Sequence, residues 1–143
     1  MNISITTATL NDVIAITALT QELGYSANEA KTQEWLSYIL NSATHAVLIA
    51  VSGKALCGWI VVEKRISLEA GFKAEITGLV VSTQYRRVGV GNKLVHAAQV
   101  WATDLGLTRL AVHSNTTRDT SHVFYQSLGF GLKKTSHNYE KTI

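Results

Sequence analysis

The chain has 143 residues, 46% apolar and 16% charged, with a formal net charge of +3, which excludes a disordered polymer and leaves length for one domain with a real core. No apolar run reaches bilayer length, and the N-terminus lacks a basic-then-apolar leader. The single cysteine, Cys57, excludes an internal disulfide or a cysteine zinc cluster. A cytoplasmic location with no membrane partner is therefore the expectation.

In chain order, Ile3 to Ala8 alternates weakly and reads as a strand. Thr9-Leu10-Asn11-Asp12 is a capping box opening a helix to about Leu23, with Val13, Ile16 and Leu23 on one face. Gly24-Tyr25 breaks it. Ser26-Ala27-Asn28-Glu29 repeats the signature before a helix to about Leu40, whose stripe is Trp35, Leu36, Ile39 and Leu40. Ala46 to Val51, a Ser52-Gly53-Lys54 turn and Ala55 to Lys64 read as a hairpin. Residues 65–73, with Gly71, read as a loop before a strand at 75–81. Gly78 interrupts that strand, marking either a close approach or a packing site. Leu94, Ala98, Trp101 and Leu105 fall on one helical face, and Leu110 to Ser114 is the next strand candidate. With one more helix and a last strand at about 137–142, the order is β-α-α-β-β-β-α-β-α-β. The expected fold class is α/β (α+β) with a mixed sheet, in a single domain spanning 1–143.

Between the strand at 75–81 and the following helix lies Arg86-Arg87-Val88-Gly89-Val90-Gly91. A strand-to-helix turn points unpaired N–H groups outward at the positive end of the helix dipole, and glycine lets an anion approach closely. A P-loop would need Lys-Ser/Thr after Gly91, but Asn92-Lys93-Leu94 follows. A dinucleotide fingerprint would need a third glycine, where Leu94 stands, and a later acid. The spacing Arg/Gln-x-x-Gly-x-Gly/Ala fits at every fixed position. An ordinary turn with two solvated arginines fits these residues as well.

That loop is similar to the acetyl-coenzyme A pyrophosphate loop of the GNAT N-acetyltransferase superfamily. The resemblance extends from Glu75 to the end, through Glu75-Ile76-Thr77-Gly78-Leu79-Val80-Val81 and the segment from Ser114 to Phe130, with its pattern Ser-Asn-x-x-Arg-x-x-x-His-x-Phe-Tyr-x-x-x-Gly-Phe. It is nearest to the small-amine and aminoalkylphosphonate N-acetyltransferase-like branch. The resemblance implies transfer of an acetyl group from acetyl-CoA to a primary amine of a small molecule. It implies that Arg86, Arg87, Val88, Gly89, Val90, Gly91, Asn92 and Lys93 hold the pyrophosphate. The backbone of Leu79, Val80 and Val81 would pair with the pantetheine amides, and Asn115 and Tyr125 would also contact the cosubstrate.

The chemistry needs a proton acceptor for an alkylammonium of pKa about 10 and a hydrogen-bond donor for the leaving thiolate. The resemblance makes Glu75 the base, directly or through water, with Glu63 as the next candidate. It makes Tyr125 the acid, with Phe124 and Leu128 turned to the core and Tyr125 left to face a cleft. Trp35, Trp59 and Trp101 read as core, and Tyr25 and Trp35 as candidate lining of the acceptor pocket. The five histidines, His45, His96, His113, His122 and His137, show no ligand spacing, so no metal is expected. The lysines and arginines are scattered without interleaved aromatics, so no nucleic acid is expected either. A protein or peptide acetyltransferase, or a non-catalytic acetyl-CoA-binding regulator, remains the alternative. The resemblance also allows a homodimer.

Overall fold

The computed structural model describes residues 2–114 and 119–143, in two units, residues 2–112 and 113–143. The first unit holds a five-stranded sheet in the order β1-β2-β3-β4-β5, built from β1 (Ser4–Thr7), β2 (His45–Ser52), β3 (Ala55–Ser67), β4 (Gly71–Val81) and β5 (Leu110–Val112). Neighbours are antiparallel except β4 and β5, which run parallel. Three helices flank the sheet: α1 (Val13–Glu22), α2 (Glu29–Leu40) and α3 (Val90–Asp104).

The two faces of the sheet can be told apart at one pair of neighbours on β3. A Cβ on Gly58 would meet Leu94 and Val90 of α3 at 2.9 and 3.0 Å. The indole N–H of Trp59, on the opposite face, donates to Thr20 Oγ1 of α1 at 3.2 Å. The α3 side buries Ile60, Val62, Leu94 and Val90 almost completely. The other side packs Val47 and Ile49 against Val13, Ile16 and Leu36 of α1 and α2.

The capping box forms as read: Thr9 accepts from the Asn11 N–H, and Asp12 Oδ2 accepts from the Thr9 N–H at 2.8 Å. The second cap differs. Asn28, not Ser26, caps α2, accepting from the Lys31 N–H at 2.8 Å, because its shorter reach to the third amide of the helix satisfies an orphan donor. Trp35 is 58% exposed and is not core; Leu36, one position on, fills that place. Residues 65–73 are not a loop. The ladder continues through Arg65↔Lys73, Ile66↔Phe72 and Ser67↔Gly71, leaving Leu68, Glu69 and Ala70 as the turn. Main-chain pairing carries these polar strand ends where hydrophobic alternation fades.

The second unit contains α4 (Asp119–Ser127). Its chain leaves the helix through a bond from the Phe130 N–H to the Tyr125 carbonyl at 3.1 Å. Residues 128–143 form no strand, so the last strand expected at 137–142 is absent from the described residues. Polar and charged residues dominate there, and no neighbouring strand is paired with them to hold them extended.

Candidate active site

β4 is paired with β3 along its length except at Thr77, but with β5 only at Ala74, Glu75 and Ile76. Among the described residues no strand pairs with Thr77–Val81 on the β5 side, so the backbone of Leu79, Val80 and Val81 borders an open sheet edge. An extended chain with its own amides can add to such an edge. The strand then runs through a short turn at Thr83–Tyr85 into α3.

At that entry Arg87 has φ +64° and Gly89 φ +85°. A left-handed conformation costs a non-glycine residue about 1–2 kcal/mol, so the turn holds Arg87 in a conformation that its own side chain disfavours. Gly89 is the N-cap of α3 and supplies no side-chain cap. A Cβ there would meet nothing within 4 Å. The amides of the first turn of a fifteen-residue helix therefore open onto space that an anion can enter, with the helix dipole behind them. Arg86, Arg87 and Val88 line the approach in sequence, and Val90, Gly91 and Asn92 supply the first-turn amides. The Lys93 N–H is already bonded to the Gly89 carbonyl at 3.0 Å. Asn92 and Lys93 also line a groove between α3 and β1, so what Asn92 offers at the helix end is its backbone.

One carboxylate that the sequence did not mark secures this loop. Glu22, in the last turn of α1, accepts from the Thr83 N–H at 3.0 Å, Ser82 Oγ at 3.1 Å and Thr83 Oγ1 at 3.2 Å. The Thr83 amide chiefly, then both hydroxyls and the charge of Arg86, hold the Glu22 carboxyl below its ordinary range. An acid at the negative end of a helix is unfavourable without a partner elsewhere, and that was the available signal.

Glu75 is 5% exposed and not a solvated strand-start residue. Arg65 Nη1 donates to Glu75 Oε2 at 2.8 Å and Arg65 Nε lies 3.7 Å from Glu63 Oε1. His45 Nε2 lies 2.9 Å from Glu63 Oε2. The pair with Glu75 is also what raises the Arg65 guanidinium above its ordinary value. Gly78 proves to be a packing glycine: a Cβ there would lie 2.7 Å from the Trp59 ring. Cys57 is fully buried, as read, and burial pushes its thiol up.

In the second unit Tyr125 lies in α4, its ring edge-on to Phe124 at 5.1 Å and to Phe130 at 5.6 Å. The ring is thus packed between two aromatics rather than turned clear of them. Asn115 lies outside the described residues, as does Arg118 of the same motif.

The profile of the Acetyltransferase (GNAT) family matches residues 13–130. The chain belongs to this family. The aminoglycoside N(6')-acetyltransferase type 1 of Acinetobacter baumannii is 33% identical over 70 residues, 49% of this chain and 48% of that protein; the match thus spans about half the length of that curated relative. The crystal structure of an aminoglycoside 6'-N-acetyltransferase from Acinetobacter haemolyticus superposes with a TM-score of 0.85 at 24% identity, covering 100% of this chain and 99% of the other. AAC(6')-Iy in complex with a bisubstrate analogue, CoA-S-monomethyl-acetylneamine, superposes at 0.89 with 20% identity and full coverage of both chains. At these identities the structural likenesses establish the GNAT fold.

Proposed function

We propose that this protein transfers the acetyl group of acetyl-CoA to a primary amine of a small molecule by direct attack, within one domain spanning 1–143. The observation that carries this reading is the uncapped, glycine-opened N-terminus of α3 beside the unpaired edge of β4. Acetyl-CoA supplies an activated acetyl thioester. Arg86, Arg87 and the amides from Val88 to Asn92 hold the pyrophosphate, with Lys93 adding charge. The backbone of Leu79, Val80 and Val81 pairs with the pantetheine arm. Asn115 and Tyr125 complete the cosubstrate contacts.

Glu75 takes the proton of the acceptor ammonium. Its burial makes a bridging water, or a small displacement of Arg65, the route by which the proton arrives. Tyr125 donates a hydrogen bond from its phenol to the sulfur as negative charge develops there. The named relatives act on aminoglycosides, which makes an aminoglycoside amine the first acceptor class to test. A cytoplasmic enzyme, and a homodimer, accord with this reading.

The deciding experiment is acetyl-CoA-dependent release of free thiol with aminoglycosides, polyamines, aminoalkylphosphonates, amino acids and short peptides, beside a thermal-shift series with coenzyme A. Turnover confined to small amines supports the proposal. Binding without turnover on any small amine overturns it in favour of a protein acceptor or a regulator.

A further inference from the structure

We infer that Arg65 is a positioning residue for Glu75, held in place in turn by Glu63 and His45. The inference rests on Glu75 acting as the base. Glu63 and Glu75 are direct cross-strand partners on β3 and β4. Like charges in that relation repel each other, and each drives the other toward solvent. Arg65, two positions along β3 on the same face, lies across both, at 2.8 Å from Glu75 and 3.7 Å from Glu63. On the far side His45, the cross-strand partner of Glu63 on β2, engages its other oxygen at 2.9 Å. Ser42 Oγ lies 2.8 Å from His45 Nδ1 and fixes that ring. Three strands therefore present a continuous polar row, His45, Glu63, Arg65 and Glu75, with Ser42 before β2 at its end, on the face that carries Trp59 and α1.

Packing does not require this row. The side chain of Glu75 is 7% exposed, while Arg65 is 50% exposed. Burying a carboxylate to reach a half-solvated guanidinium is often no more stable than an apolar residue of similar size. What the arrangement does achieve is orientation. The guanidinium fork fixes one carboxylate oxygen of Glu75 at a defined point, and Glu63 restrains the fork from behind. A base whose oxygen is displaced by about 1 Å can lose about 100-fold in rate. Arg65 accordingly sets where the proton acceptor sits, without itself touching the reacting atoms.

The test is a cycle in kcat/KM for the fastest amine of the panel, using Arg65→Met, Glu75→Gln and the double variant, with coenzyme A binding as the check on folding. Arg65→Met should lower kcat by about 10- to 100-fold while leaving KM for acetyl-CoA unchanged. Arg65→Lys, which keeps charge but not the fork, should recover part of that loss. In the Glu75→Gln background Arg65→Met should change the rate less than about twofold, since both act through one group. Multiplying losses in the double variant, or Arg65→Met at the parental rate, would overturn the role of Arg65 alone. Glu75→Gln at full rate, or no turnover of any amine, would remove the base and the positioning role together. Should Arg65→Met fail to bind coenzyme A, the same cycle run with Arg65→Lys decides on the same criteria.

Discussion

Gly89→Ala tests the cradle most directly, because the structure separates its two consequences. Gly89 sits at φ +85° with nothing within 4 Å of where a Cβ would stand. The substitution therefore causes no clash inside the protein, and its stability cost is torsional, about 1–2 kcal/mol. For a chain of this size that corresponds to a fall in Tm of about 3–8 °C. The same open space is where an anion would approach the first-turn amides. Losing one or two charge-assisted hydrogen bonds there, at about 1.5–3 kcal/mol each, weakens binding by at least about 10-fold.

The opposite end of the same helix supplies the control. Gly106 follows α3, has φ +78° and also has nothing within 4 Å. Gly106→Ala should lower Tm by a similar amount and leave coenzyme A affinity within about twofold, since the torsional cost is shared but no anion approaches that end. Calorimetric titration of both variants with coenzyme A reads the difference. Equal affinities for the two variants would refute the assignment of residues 86–92 as the anion site.

Glu22 makes stability depend on acid. Its carboxyl is held below the ordinary 4.5 in the folded protein, so its contribution is present above the unfolded-state pKa and is lost as pH falls through the folded one. Glu22→Gln should therefore flatten the dependence of Tm on pH below about 4.5 and leave the slope near neutrality unchanged; an identical acid limb in the variant would show that the loop does not rely on this group. Cys57 should resist aromatic disulfide reagents at pH 8 until the protein unfolds, because it is buried and its thiol is pushed up. Rapid labelling of the folded protein would contradict that packing.

The parts of the fold legible in the sequence are those whose signal is local. The capping box at Thr9–Asp12, the glycine turn at Gly53 and the helical face of Leu94 and Ala98 each depend on residues within a few positions of one another. The glycine-opened entry to α3 was legible for the same reason, its arginines and glycines being contiguous. Trp35 and the strand ends at 65–73 were misread because burial and pairing there are decided by neighbours distant in sequence. Arg65 was hidden inside that misread loop, and only the cross-strand register brings it to Glu75. Glu22 lies 60 residues from the hydroxyl of Ser82 that it accepts from, a contact no local pattern encodes.

Thr77 ties the two halves of β4 together. Ile76 stands opposite Val62 and Gly78 opposite Val61, so Thr77 is the extra residue of a bulge. Without the bulge, with Thr77 present but paired in a regular ladder, alternation would place Glu75 on the face opposite Gly78 and Val80. With it, Glu75 shares the face of Gly78, Val80 and Trp59, and three consecutive residues, Ala74, Glu75 and Ile76, are buried. Thr77→Ala, at an exposed position, should change stability by less than about 0.5 kcal/mol. An alanine inserted between Val61 and Val62 would give Thr77 a partner and abolish the bulge; it should cost more than about 3 kcal/mol, because regular alternation would turn the Glu75 carboxylate to the α3 side of the sheet. Urea unfolding distinguishes these outcomes by midpoint. An insertion variant as stable as Thr77→Ala would mean that the strand slips without penalty, and the bulge would then not be what orients Glu75.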